Sequence, residues 1–169
     1  MILTVSGVQV DGSVEFSFCY TFLFVKGAMS SSLHVNWAFG FSKDVTNSVH
    51  NLTTEARNAI FYLSSHSGVI YDFEHRTQVV LQGHCNQISC CAVSPDKRWI
   101  VTADIGEDPI FVVWDSFSGA PVKTIFNPHR NGVKALDISN DAMYIITLSE
   151  REEVSDGPAY VYSIDRWKD

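Results

Sequence analysis

The stretch that decides the fold is GHCNQISCCAVSPDKRWIVTADIGEDPIFVVWD, residues 83–115. It opens on the dipeptide Gly83-His84, and a Ser-Pro-Asp turn follows at residues 94–96. Around that second turn, apolar and polar residues alternate as they do in half-buried strands. The stretch ends on Trp114-Asp115, so Asp115 lies 32 positions after Gly83. Turns and strands at this spacing are typical of one blade of a β-propeller, of the kind called a WD repeat.

The same pattern recurs on both sides of that stretch. Tyr71-Asp72 lies 43 positions before Trp114-Asp115. Pro128-His129 lies 45 positions after Gly83-His84, and Tyr162-Ser163 follows Trp114-Asp115 at 48 positions. A period of roughly 40 to 45 residues is that of WD propellers. It predicts three units, at about residues 33–76, 77–120 and 121–169.

The predicted fold class is all-β, a partial WD-repeat β-propeller with two to three blades of four antiparallel strands. Alternation predicts strands at residues 35–41, 58–63, 69–73, 77–81, 87–93, 99–103 and 110–115. Residues 77–81 are interpreted as the outer strand of the second unit. A closed propeller needs about four blades at least, and seven blades need roughly 300 residues at this period. The predicted ring is therefore not closed.

Residues 1–32 do not follow the repeat. Alternation at 4–10 and 14–25, interrupted by Asp11-Gly12, favours a hairpin. The alternative interpretation is an atypical, poorly ordered leader. Its apolar run at 16–25 has about half the length that a membrane-spanning helix requires. No membrane crossing is expected from it.

Charge and cysteine content narrow the class of partner. The formal net charge is −7, whereas nucleic acids and anionic membranes are bound by cationic surfaces. The four cysteines are Cys19, Cys85, Cys90 and Cys91, without a Cys-x-x-Cys pair, and the adjacent two would point to opposite faces of a strand. We interpret them as reduced packing residues of a cytosolic protein. The six histidines lack zinc-site spacing, so no metal or cofactor is predicted.

A histidine, a hydroxyl, a carboxylate and an indole lie within this best-preserved repeat, and they invite comparison with a hydrolase triad. In a WD blade such residues form a buried polar relay, in which the indole N–H donates to a hydroxyl that meets an oriented histidine. The predicted relay is His84, Thr102, Asp108 and Trp114. The turn after Thr102 is long, so Asp104 is the alternative carboxylate. The third unit has no Trp, so its relay is expected to be absent and its packing to depend on Tyr162.

No motif supports catalysis. The acidic cluster Asp104, Glu107 and Asp108 lacks the ligand pattern of an EF-hand, and the chain has neither a phosphate loop nor a Gly-x-Ser-x-Gly elbow. The chain is therefore predicted not to be an enzyme, and it is expected to act by binding proteins rather than small molecules. The predicted contacts are at the rim after the Gly-His turn, at Asn86, Arg130 and Asn131. Trp167 is interpreted either as a strand residue or as an exposed anchor.

Several segments of the chain also resemble a known family. They are LQGH (81–84), ISC (88–90), RWIVTAD (98–104), VWDSFSG (113–119) and PVKTIF (121–126), together with NWAFG at 36–40. These segments are similar to the cilia- and flagella-associated WD-repeat proteins. Within that family the likeness is to the member at the base of axonemal radial spokes, in the calmodulin- and spoke-associated complex. The likeness extends over about residues 34–126.

That resemblance implies a non-enzymatic scaffold of motile cilia and flagella, which holds spokes to doublet microtubules. The implied partners are axonemal or other cytoskeletal proteins, with no nucleic acid, membrane or small-molecule substrate. The implied location is the cytoplasm, the cytoskeleton and the axoneme. A cytoplasmic microtubule-associated or adaptor WD-repeat protein is the alternative. The first 32 residues depart from the family's pattern.

Overall fold

The structure is a computed structural model that describes residues 35–149, 152–154, 157–159 and 162–167. Within those residues the chain forms strands and no helix, so none of its described elements is a helix that could cross a membrane. Sheet 1 contains β1 (Val49–Asn51), β2 (Ala59–Ser64), β3 (Ser67–Asp72) and β4 (Thr77–Leu81). Sheet 2 contains β5 (Ile88–Val93), β6 (Trp99–Asp104), β7 (Ile110–Asp115) and β8 (Pro121–Phe126).

Sheet 3 contains β9 (Val133–Ile138), β10 (Tyr144–Ser149) and β13 (Tyr162–Arg166). A small hairpin of β11 (Glu152–Val154) and β12 (Gly157–Ala159) lies between β10 and β13 in sequence. All strand pairs are antiparallel, and neighbouring strands of sheets 1 and 2 are consecutive in the chain. The predicted all-β class is therefore confirmed, and the described sheets do not close into a barrel.

The sheets are offset by one strand from the units inferred from the sequence. β4 hydrogen-bonds to β3, with Tyr71 opposite Gln78, and so completes sheet 1 instead of beginning sheet 2. The sheets accordingly span residues 49–81 and 88–126. The period of a repeat reports its length but not the strand at which it starts, and strand pairing decides that point.

Two local predictions differ from the structure. Residues 36–41, predicted as a strand, are irregular, and Ala38 in them donates its backbone N–H to Gln78 Oε1 at 2.9 Å. β1 (Val49–Asn51) lies instead between residues 41 and 58, where alternation predicts no strand. It pairs with β2, with His50 opposite Phe61. The predicted hairpin or leader at residues 1–32 lies outside the described residues.

The third sheet also shows which residues take the position of Trp114-Asp115, which the sequence analysis assigned to Tyr162-Ser163. In sheet 2 Trp99 lies opposite Asp115, and in sheet 3 Tyr144, which is 45 positions after Trp99, lies opposite Arg166. Asp165-Arg166 therefore occupies that position, and not Tyr162-Ser163. The hairpin of β11 and β12 lengthens the connection before β13, and this extra length shifts the register.

Two apolar clusters hold the sheets together, one on each face of sheet 2. Sheets 1 and 2 share a cluster of Leu52, Ala59, Phe61, Leu63, Ile70, Leu81, Ile88, Cys91, Ile100, Val112 and Trp114. Sheets 2 and 3 share a cluster of Cys90, Ala92, Val101, Ala103, Phe111, Val113, Val133, Ile138, Ala142, Ile145 and Trp167. Alternate residues of each strand of sheet 2 point to opposite faces, so sheet 2 is the covered middle layer.

Trp167 belongs to the second cluster. It is buried and meets Trp99 edge to face, with ring centroids 5.0 Å apart. Edge-to-face pairs of this kind are stabilising beyond the area they bury. The structure therefore places Trp167 in the core, and its interpretation as an exposed anchor is wrong.

Candidate functional site

Four side chains form a buried hydrogen-bonded chain at one end of sheet 2. Trp114 Nε1–H donates to Thr102 Oγ1 at 2.8 Å. Thr102 Oγ1 lies 2.7 Å from His84 Nε2, and His84 Nδ1 lies 2.7 Å from Asp104 Oδ2. With the His84 proton on Nδ1, the histidine donates to the carboxylate and accepts from the Thr102 hydroxyl. Every polar atom of this relay then has a partner.

Strand geometry places the members of the relay. Thr102 and Asp104 are two positions apart on β6, so both point to the face of sheet 2 that packs on sheet 1. Trp114 lies on β7 opposite Ile100 and shares that face. His84 comes from the connection between β4 and β5. The relay thus ties that connection to the two central strands of sheet 2.

The carboxylate in the relay is Asp104, which corrects the choice of Asp108. Asp104 is the last residue of β6 and is buried, and its second oxygen accepts the backbone N–H of Ile110 at 2.8 Å. It therefore closes the loop to β7 while it orients His84. Asp108 lies exposed in that loop with a positive φ of 50°.

The relay has the residue types of a hydrolase triad, but a substrate cannot reach it. The side chains of His84 and Asp104 are 0% and 1% exposed, and Thr102 is buried. A nucleophilic hydroxyl must lie within reach of a substrate's electrophilic atom. Thr102 Oγ1 instead accepts the indole N–H inside a packed sheet. This arrangement can fix strand positions but offers no surface for a reaction.

The third sheet keeps part of the relay, against expectation. His129 Nε2 lies 2.9 Å from Thr147 Oγ1, and both residues are buried. They lie 45 positions after His84 and Thr102. The loss of Trp was the reason to expect no relay here, but a histidine and a hydroxyl can satisfy each other without an indole.

The Asp of the Trp-Asp pair has a separate role in sheets 1 and 2. Asp115 Oδ1 accepts the backbone N–H groups of Phe117 and Ser118 at 2.9 and 3.0 Å. Asp72 Oδ1 accepts those of Glu74 and His75, both at 2.9 Å. Such contacts are those of an Asx turn. Burial acts to raise the pKa of Asp115, but hydrogen bonds from the Ser118 and Phe117 amides, the charge of Arg98 and the Ser118 hydroxyl together lower it below its ordinary value.

The three predicted rim residues lie around the loop between β6 and β7. Asn86 is half-buried, and its side-chain amide donates to Glu107 O at 2.8 Å. Arg130 and Asn131 are exposed and precede Gly132, which packs against Ile105. Asn86 thus supports the loop, whereas Arg130 and Asn131 present polar groups at the surface.

The two adjacent cysteines lie in different clusters. Cys90 belongs to the cluster between sheets 2 and 3, and Cys91 to the one between sheets 1 and 2. Burial raises the pKa of each thiol to about 12. Cys85 is exposed. In the part of the chain that the structure describes, no three histidine, cysteine or acidic side chains lie close enough to hold a metal ion.

Sequence reasoning missed Arg57, which bridges sheets 1 and 2. Its guanidinium donates to Ser116 O, to Ser116 Oγ at 2.7 Å and to Lys97 O at 3.3 Å. It also lies over the ring of Phe117, 4.1 Å from its centroid. A planar guanidinium suits several acceptors and an aromatic face at once. The residue stands alone in a polar stretch, so no local pattern could have singled it out.

One family model matches most of the chain. The family described as "CFAP251 N-terminal domain" matches residues 33–164. Cilia- and flagella-associated protein 251 of Tetrahymena thermophila is 49% identical over 137 residues, which are 81% of this chain and 14% of the relative. The protein of that name from Pongo abelii is 40% identical over 129 residues, 75% of this chain and 11% of the relative.

A more distant relative carries a different name. Echinoderm microtubule-associated protein-like 4 of Homo sapiens is 33% identical over 117 residues, which are 63% of this chain and 12% of that protein. The chain therefore spans only a small part of the length of each relative. Because the family match extends over most of the sequence, the chain belongs to the CFAP251 N-terminal domain family.

Proposed function

We propose that the chain is part of a non-enzymatic WD-repeat scaffold of motile cilia and flagella. In this proposal sheets 1 to 3 are blades of a β-propeller, and the scaffold holds radial spokes to doublet microtubules. The observation that carries the proposal is the 49% identity to a protein named as cilia- and flagella-associated. The buried relay of His84, Thr102, Asp104 and Trp114 supports the blade interpretation.

Protein binding fits the chemistry of the site better than catalysis. The polar side chains of the relay are sealed inside sheet 2, where they stabilise strand positions. The exposed Arg130 and Asn131 lie at the surface beside the loop between β6 and β7. An arginine at such a rim can pair with a carboxylate of an acidic partner. We assign these two residues to the contact surface, with Asn86 positioning the loop beside them.

Co-sedimentation with axonemal doublets tests this function. The chain and the full-length Tetrahymena relative are each mixed with salt-washed doublets and pelleted. We expect both to pellet with the doublets, and Arg130→Ala to weaken pelleting of the chain. Lys123→Ala, which changes another exposed cation on β8, should leave it unchanged. If the full-length relative stayed in the supernatant, the axonemal function would be wrong.

A general microtubule-associated function is the second candidate, because one relative is named as microtubule-associated. Microtubules polymerised from purified tubulin distinguish the two, since they lack the spokes and other axonemal proteins. Equal pelleting with plain microtubules and with doublets would favour the second candidate. Pelleting with doublets alone would favour the axonemal scaffold.

A further inference from the structure

The outer edge of sheet 2 exposes apolar surface on the side that faces sheet 1. Thr124 of β8 pairs with Val112 of β7, and two positions further along β8 Phe126 pairs with Ile110. Val112 belongs to the cluster that sheets 1 and 2 share, so these side chains all point toward sheet 1. Sheet 1 buries Val112 but leaves Phe126 72% exposed. The apolar surface of sheet 2 thus continues past the part that sheet 1 covers.

A crevice of about 220 Å³ lies on this surface. Gln82 and Gly83, in the connection between β4 and β5, line it from the side of sheet 1. A Cβ on Gly83 would lie 3.2 Å from the Trp114 ring, so the connection approaches the indole closely. The rest of the lining comes from β7 and β8 and is mostly apolar: Ile110, Val112, Trp114, Pro121, Thr124 and Phe126. Such a lining suits aromatic side chains better than charged ones.

The described part of the chain begins beside this crevice. Val35 lines a second cavity, of about 410 Å³, and Gln82 and Gly83 line that cavity too. Gln82 and Gly83 are therefore common to both cavities. The residues that precede Val35 in the sequence are accordingly attached next to the crevice.

That preceding sequence contains a run with one aromatic face. Residues 14–25 read VEFSFCYTFLFV. Alternate side chains of an extended chain share a face, so an extended run would place five aromatic residues together: Phe16, Phe18, Tyr20, Phe22 and Phe24. The opposite face would carry smaller or polar residues such as Ser17 and Thr21. An aromatic face of this kind is stabilised by cover from apolar surface.

The connecting chain is long enough to bring this run to the crevice. Residues 26–34 separate the run from Val35, and an extended chain of that length spans about 30 Å. β8 has six residues and is therefore about 20 Å long. A short tether also gives the run an effective concentration in about the millimolar range. The run of the same chain is thus favoured over that of a second copy.

We propose that residues 14–25 dock on the outer edge of sheet 2 and insert aromatic side chains into the crevice beside Trp114 and Phe126. The docked run covers apolar side chains that sheet 1 leaves exposed. It is not part of the repeat, because sheet 2 already has its four strands. The inference involves neither Arg130 nor Asn131 and does not depend on the axonemal function.

Cysteine labelling tests the inference in the full chain. Thr124→Cys, within the crevice, is made in a background with Cys19→Ser and Cys85→Ser, and its rate of reaction with a maleimide is measured. The measurement is repeated after Phe18→Ser and Phe22→Ser are added, which removes two side chains of the aromatic face. We expect these two substitutions to raise the labelling rate at least tenfold, because the crevice then loses its cover.

Two matched controls accompany this measurement. Ser17→Ala with Thr21→Ala changes the opposite face of the same run and should leave the rate of Thr124→Cys unchanged. Lys123→Cys lies on the other face of β8, opposite Val113. Its rate should be the same with and without the two phenylalanine substitutions. The native thiols at positions 90 and 91 should stay unlabelled in every variant, which shows that sheet 2 remains folded.

Two results would overturn the inference. One is an equal labelling rate of Thr124→Cys with and without the two phenylalanine substitutions, since the run would then not occupy the crevice. The other is protection that grows with protein concentration, because a second copy would then supply the run. Neither measurement involves doublets, so its failure is separate from that of the axonemal function.

Discussion

Asp104 shows how one side chain can serve two structural purposes. Its carboxylate accepts from His84 through one oxygen and from the backbone of Ile110 through the other. A carboxylate can only accept hydrogen bonds, and this site offers it two donors, the ring N–H of His84 and the backbone N–H of Ile110. An asparagine of the same shape would bring an NH₂ group against one of them. The requirement for a carboxylate at this position follows directly.

We therefore predict that Asp104→Asn lowers the free energy of unfolding by about 1–3 kcal/mol, the usual cost of a buried unsatisfied polar group. Asp108→Asn is the matched control. Its carboxylate is exposed and its backbone has the positive φ that asparagine tolerates, so its effect should stay within about 0.5 kcal/mol. Urea unfolding midpoints measure both. Equal losses in the two variants would contradict the relay.

Cysteine reactivity is the second prediction at this scale. The pKa of Cys90 and of Cys91 is raised from 9.0 to about 12 by burial. Because the thiolate is the nucleophile, three pH units lower its fraction near neutral pH about 1000-fold. In the native chain iodoacetamide should modify Cys85 and spare Cys90 and Cys91, as read by peptide mass spectrometry. Modification of all three should appear only in denaturant, and equal native rates would contradict the packing.

Between elements, Arg57 joins the connection before β2 to the turn after β7. Its guanidinium reaches backbone and side-chain oxygens of Ser116 and the face of Phe117. Asp115 stabilises the same turn, because its Oδ1 accepts the backbone N–H groups of Phe117 and Ser118. The junction of sheets 1 and 2 thus combines an apolar cluster with a polar contact at its edge.

Arg57→Lys should accordingly lower the free energy of unfolding by about 1–2 kcal/mol, since an ammonium cannot serve the same acceptors and stack on the ring. Arg98→Lys is the matched control. Arg98 Nη2 pairs with Asp115 Oδ2 at 3.0 Å, but its side chain is 54% exposed, and exposed pairs contribute little. Thermal unfolding, monitored by circular dichroism, compares the stabilities of the two variants. A larger loss for Arg98→Lys would refute the assignment.

For the whole molecule, the three sheets differ in how many of their faces are covered. Among the described residues, sheet 2 has an apolar cluster on both faces, whereas sheet 3 has one on the face toward sheet 2. Local opening is least favourable where both faces are packed. Stability should therefore be highest in sheet 2 and lower in sheet 3.

Hydrogen exchange measures this difference directly. Peptides that cover β6 and β7 should exchange most slowly, and those that cover β9 and β10 should exchange faster. The strands β4, β5 and β8 should also exchange faster, because among the described residues each is an edge strand with one hydrogen-bonded neighbour. Equal protection of β10 and β6 would contradict the link between packing and local opening.

The sequence by itself determined the strand class, the repeat and three of the four relay residues. Alternation and a period near 45 can be read directly along the chain, and His84, Thr102 and Trp114 lie where a WD repeat carries its relay residues. Such local regularities survive without knowledge of the fold. Because adjacent residues of a strand point to opposite faces, the sequence likewise predicted that the thiols of Cys90 and Cys91 point to opposite faces.

Only the tertiary structure decided the rest. The choice of Asp104 depends on which carboxylate lies within hydrogen-bonding distance of His84, and five residues of loop separate β6 from β7. The pairing of β4 with β3, the position of Asp165-Arg166 and the reach of Arg57 depend on contacts between distant segments. Strand register and side-chain packing are non-local, so a pattern along the chain can give their period but not their partners.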